Sequence, residues 1–122
     1  MRIRITAGEI SAFAELNETG TARAIAQALP ITGRVNTWGE EIYFPIPVKL
    51  GDEQGRAEVA VGELGYWPPG GAFCIFFGRT PASVGPKPRA LSPVNVFGRL
   101  TSNPAVFRKV KDGTTIRIEA AE

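Results

Sequence analysis

Two aromatic features carry the most suggestive chemistry in this sequence: Trp38, and the run Tyr66-Trp67-Pro68-Pro69. Aromatic rings beside prolines make rigid apolar walls with polar handles, suited to a peptide or a small planar ligand. The plainer alternative is that Trp38 and Trp67 plug the end of a small barrel, since such barrels fill with side chains. Glu40 and Glu41 are adjacent carboxylates in a stretch that alternates as a strand. Strand neighbours point to opposite faces, so the two cannot serve one substrate as an acid and base pair. With Ile42, Phe44 and Ile46 inward, Glu40 shares the inward side, while Glu41 and Tyr43 share the other. An inward Glu40 needs a buried donor or a place at the rim. Either carboxylate is a ligand contact or half of a structural pair. Arg79 opens a proline-rich loop, where its guanidinium can fork onto a ligand carboxylate or cap the chain's own carbonyls. Asn95, like Asn36, is a polar residue in a β segment, placed to line a site or to bond the backbone. The candidate binding set is therefore Trp38, Glu41, Tyr43, Tyr66, Trp67, Arg79 and Asn95.

Other chemistries lack their parts. The chain has no His, which removes the usual general base near neutral pH and the commonest transition-metal ligand. Its one Cys, Cys74, sits between Phe73 and Ile75, where a buried apolar thiol is inert. Ser83 and Ser92 have no base to activate them. Gly70-Gly71 follows prolines rather than a strand-to-helix turn, so no phosphate cradle is expected. No catalytic residue, metal site or cofactor is assigned.

At 122 residues the expectation is one domain spanning 1–122, because domains commonly run to ~100–150 residues. Hydrophobic residues at 43% and charged residues at 21% suit a folded globular chain. Fourteen Lys and Arg against twelve Asp and Glu leave only +2, and the basic residues are scattered. That predicts no nucleic-acid partner. The start, Met1-Arg2-Ile3-Arg4-Ile5-Thr6, alternates charged and apolar residues and reads as a strand, not a signal peptide. No apolar run approaches the ~20 residues that span a bilayer. A cytoplasmic protein without a membrane partner is expected, in keeping with its unpaired Cys.

The elements that must position these residues are mostly short strands. Arg2–Thr6 and Ile10–Leu16 form a predicted hairpin. Asn17 to Thr21 offer capping side chains, and Ala22, Ile25, Ala26 and Leu29 make one helical face that Pro30 stops. Further strands are read at Glu41–Ile46, Arg56–Val61, Leu64–Trp67, Ala72–Phe77, Val94–Leu100 and Thr114–Glu119. Pro45 and Pro47 put the first of these at an edge or a bulge. Ala72–Phe77 is apolar on both faces and should be central. Gly78–Pro93, with four prolines, reads as a long loop. Ser102 or Asn103 can cap a second helix with Pro104 at its first position, Val106 and Val110 facing inward. Eight or nine strands and two small helices suggest a small barrel with covered edges.

Several segments also resemble a known family. They are Asn36-Thr37-Trp38-Gly39-Glu40-Glu41-Ile42-Tyr43-Phe44, Gly65-Tyr66-Trp67-Pro68-Pro69-Gly70, Cys74-Ile75-Phe76-Phe77-Gly78-Arg79-Thr80-Pro81 and Ser92-Pro93-Val94-Asn95-Val96-Phe97-Gly98. In that order they resemble the cyclophilin-like family of small bacterial and archaeal proteins of unassigned function. The resemblance implies a mainly β fold: a closed cyclophilin-like β-barrel with two short helices. The ending, Val96-Phe97-Gly98-Arg99-Leu100 followed by a helix and Ile116-Arg117-Ile118, is similar to true cyclophilins. Their Phe-His-Arg stretch, which supplies the catalytic arginine, has no counterpart here, so no catalytic residue is carried over. The expected function is a binding module for a peptide or small-molecule ligand. The alternatives are a prolyl isomerase that uses Arg34 or Arg79 as donor, and a structural protein whose aromatic patch forms a homodimer interface.

Overall fold

The computed structural model describes residues 1–121. β1 (Arg2–Ala7) and β2 (Ile10–Leu16) form the first hairpin, paired from Arg2↔Glu15 to Ala7↔Ile10. Their alternation buries Ile3, Ile5 and Ala7 with Ala12, Ala14 and Leu16 on one face. The chain then enters α1 (Gly20–Ala28), capped by the Thr19 hydroxyl, which accepts from the Ala22 N–H at 3.1 Å. The predicted helix begins at Ala22; the real one starts two residues earlier. The reason is Glu53, whose carboxylate accepts from the N–H groups of Gly20 and Thr21 at 3.1 and 2.9 Å. It satisfies first-turn donors from another part of the chain. Those backbone donors, after the Thr21 hydroxyl, hold the Glu53 carboxyl below its ordinary range.

The remaining strands are β3 (Ile31–Arg34), β4 (Asn36–Thr37), β5 (Glu41–Pro45), β6 (Arg56–Glu58), β7 (Glu63–Trp67), β8 (Ala72–Phe76), β9 (Arg89–Leu100) and β10 (Thr115–Ala120). A 3-10 turn at Pro68–Gly70 separates β7 from β8. The second expected helix is a 3-10 helix, Pro104–Lys109, capped by Asn103 through the Ala105 N–H at 3.1 Å. Its fully buried residue is Phe107, which packs 6.1 Å from the Phe77 ring. Val110 is buried beside it and Val106 only partly.

All ladders are antiparallel, in the order β3-β10-β1-β2-β9-β7-β8-β5-β4, with β6 also on β9. That path has two ends, so the expected closed barrel is not present as an unbroken hydrogen-bonded ring. The break lies at Val35, the single residue between β3 and β4. Before it the segment pairs with β10, and after it with β5. Val35 itself donates to Thr114 O and accepts from the Gly113 N–H, at 2.9 and 2.8 Å.

Two other readings are corrected. β6 ends at Glu58, not at Val61: Val59 N–H still donates to Pro88 O at 3.0 Å, but Pro88 lies outside β9 and residues 61–62 form the turn into β7. The loop after β8 ends at Pro88, since Arg89 already begins β9. Pro93 sits inside that strand, where the β6 pairing is irregular and shifts register between Arg56 and Glu58. Pro45 is the last residue of β5; two-residue β4 pairs only Tyr43 and Ile42. Neither proline has to supply a regular ladder bond.

The sheet buries two apolar clusters. The larger holds the inward side chains of β1, β2, β5 and β10 with Ile25 of α1, and includes Leu64, Tyr66, Phe73, Ile75 and Phe97. The smaller lies on the other face of β8: Ala72, Cys74 and Phe76, with Val59, Ala90 and Val94. β8 is therefore buried on both sides at all five residues, as its unbroken apolar run predicts.

Candidate functional site

Strand parity determines what reaches the smaller cluster. On β5, Ile42 and Phe44 join the main core; Glu41 and Tyr43 turn to the opposite face. On β7, Leu64 and Tyr66 face the main core, and Trp67 packs against the smaller cluster. Trp38 comes from the tight turn between β4 and β5, closed by Trp38 N–H to Glu41 O at 2.9 Å and Glu41 N–H to Trp38 O at 3.2 Å. Gly39 in that turn has φ +61°, and a Cβ there would lie 2.9 Å from the Thr80 backbone. Only glycine lets the turn seat against residues 79–81. Glu40 N–H then donates to Arg79 O at 2.8 Å, and Phe77 N–H to Glu40 O at 2.9 Å.

Together, Trp38, Tyr43, Trp67, Ala90, Leu91, Val94 and Glu41 enclose a cavity of about 120 Å³. A single water needs only ~10–15 Å³ of such space, so this cavity takes a group of several heavy atoms. Trp67 is held in place at both ends. Its indole N–H donates to Ser92 Oγ at 2.7 Å, and its benzo ring covers Gly70, where an added Cβ would come within 2.7 Å. Leu91 is exposed and marks the mouth.

Glu41 is the charged residue of the wall, and it is only 6% exposed. Its Oε1 has no hydrogen-bond partner. Burial pushes the carboxyl up to about 7; a hydrogen bond from the adjacent Cys74 thiol pulls it down, but less. The Cys74 thiol is itself pushed well above its ordinary value, first by burial and then by the Glu41 charge. It stays a neutral thiol, 3.9 Å from Ala72 O.

Four of the seven residues singled out in the sequence therefore meet here: Trp38, Glu41, Tyr43 and Trp67. Three lie elsewhere. Tyr66 is on the far side of the sheet, its hydroxyl donating to Val48 O at 2.7 Å and accepting from the Leu50 N–H at 3.1 Å. Asn95 is buried under residues 51–53: its amide donates to Gly51 O and Thr21 Oγ1 and accepts from the Glu53 N–H. Arg79 donates within its own loop, to Ser83 O at 3.4 Å. Arg34 donates to Gly113 O at 3.3 Å. Glu40 takes the rim position, bound by Arg108 Nε at 2.7 Å. Sequence reasoning missed Ala90 and Leu91 because the start of β9 is hidden among prolines, and it read Val94 as a strand residue without placing it at the cavity. Among the described residues, no group of three His, Cys, Asp or Glu is placed to hold a metal, and no helix is long and apolar enough to cross a membrane.

A family model described as Cyclophilin-like matches residues 1–119. Among solved structures, the solution structure of the hypothetical protein AF2241 from Archaeoglobus fulgidus is similar, at 41% identity and a TM-score of 0.83. The likeness covers 99% of this chain and 95% of that one. No curated protein matches the chain.

Proposed function

Because the chain belongs to the cyclophilin-like family, whose fold alone assigns no activity, we propose from its cavity that it is a binding module. It takes one end of a small metabolite, or a side chain of a peptide, between Trp38 and Trp67. The observation that supports this most is Glu41, a buried carboxyl with an unpartnered oxygen on the wall of an apolar cavity. Buried polar groups are nearly always hydrogen-bonded, and an exception calls for an explanation. Folding gains nothing from this one, since burying a carboxylate with one oxygen unpartnered is costly. An incoming ligand would supply the missing donor. The aromatic rings would supply apolar contact, and the one polar group would fix orientation.

The test is a titration of the protein with four-carbon fragments, read at the indole N–H resonances of Trp38 and Trp67. Saturable shifts at both indoles are expected. Trp38→Ala removes one wall but leaves the backbone bonds of its turn, and should weaken binding about tenfold or more as read at Trp67. If no fragment moves either indole, the binding reading fails.

A further inference from the structure

Resting on the pocket reading above, we propose that the group taken into the cavity is a primary alkylammonium, either a free amine or the end of a lysine side chain, with Glu41 as its counter-ion. The argument begins with charge. No Lys or Arg is among the residues lining the cavity. The neighbouring Glu40, by contrast, has Arg108 at 2.7 Å. Of two consecutive carboxylates, the chain neutralises the one at the rim and leaves the buried one open. The other titratable groups beside Glu41 are the Tyr43 phenol and the buried Cys74 thiol, and neither brings a positive charge.

The open group is an acceptor. Glu41 Oε1 lacks a partner, and a charge-assisted N–H donor would sit ~2.7–2.9 Å from it. An anion is repelled there. At pH 8, with the carboxyl ionised, a neutral hydroxyl would satisfy the oxygen but leave the carboxylate charge uncompensated in an apolar wall. A primary ammonium answers both needs. A quaternary ammonium brings charge but no N–H. The surrounding rings of Trp38, Tyr43 and Trp67 favour the same ligand, since aromatic faces attract cations and cover methylenes. Leu91, 69% exposed at the mouth, would meet an aliphatic arm entering from solvent.

The test compares n-butylammonium, 1-butanol, butyltrimethylammonium and the tripeptide acetyl-Gly-Lys-Gly-amide at pH 8, read at the two indole N–H resonances. n-Butylammonium should bind at least tenfold more tightly than 1-butanol and butyltrimethylammonium. In Glu41→Gln, whose fold is checked by thermal unfolding, the preference over 1-butanol should collapse. Tighter binding of the tripeptide than of n-butylammonium identifies the lysine of a peptide as the source; equal or weaker binding identifies a free amine. A preference under tenfold over either comparison ligand, with saturable binding, overturns the ammonium assignment and leaves the pocket reading standing. Absence of saturable shifts from all four ligands overturns both.

Discussion

Glu41→Gln is expected to raise the unfolding free energy at pH 8 by about 2 kcal/mol, and to raise it by nothing measurable at pH 4. The folded carboxyl is pushed by burial from an ordinary 4.5 up to about 7. Between those values the folded chain holds a proton that the unfolded chain has released, so stability falls as pH rises. Above 7 the penalty is complete, at most about 3–4 kcal/mol given 1.36 kcal/mol for each pH unit of displacement. Below 4.5 both states are protonated and the penalty is gone. Glutamine resembles the protonated acid at every pH and escapes the cost. Its carboxamide still needs hydrogen bonds in the cavity, which trims the gain. Urea unfolding at pH 4, 6 and 8 measures the difference. A variant less stable than the parent at pH 8, or a difference that does not change with pH, would contradict the account. A site residue whose removal strengthens the fold is typical of groups held for binding.

Phe73→Ala should act in the opposite direction, costing about 3–5 kcal/mol. The Phe73 ring stacks on Phe44 at 5.1 Å and meets the edge of Phe97 at 5.0 Å, entirely out of solvent. Its loss removes apolar burial, opens a cavity and breaks two aromatic pairs. Domains are stable by only ~5–15 kcal/mol in all, so the urea midpoint should drop by about a fifth or more. The side chains of Cys74 and Ala72 belong to the other face of β8. Ligand shifts at Trp38 and Trp67 should therefore persist below the unfolding transition. A cost under ~1.5 kcal/mol would mean that Phe73 is not central to the core.

The contrast between the two variants reflects one rule, the period-two alternation of a strand. That rule separates Glu40 from Glu41 and groups Glu41 with Tyr43, all legible from the sequence of β5. It also separates Tyr66 from Trp67, so adjacent aromatics that look like one motif serve different faces. Tyr66 anchors residues 48–50 from inside, while Trp67 walls the cavity. The hairpin β1–β2, the two-faced burial of β8 and the capping stretches before the two helices are local patterns legible in the sequence. What the sequence hides is non-local. Glu53 caps α1 from more than thirty residues away, and Asn95 clamps the same loop through Glu53 and Gly51. The break at Val35 depends on a change of partner strand. The Ala90–Val94 wall lies in a strand that contains Pro93, and proline normally argues against a strand.

The most direct measurement follows the Glu41 side-chain carboxyl by carbon-13 chemical shift through a pH titration, with and without saturating n-butylammonium. Without ligand the midpoint should lie near 7. With the ammonium in place it should fall by more than a pH unit, because an opposite charge at contact favours the carboxylate. A midpoint near 4.5 in both samples would show a solvated, already satisfied carboxyl and would contradict the account.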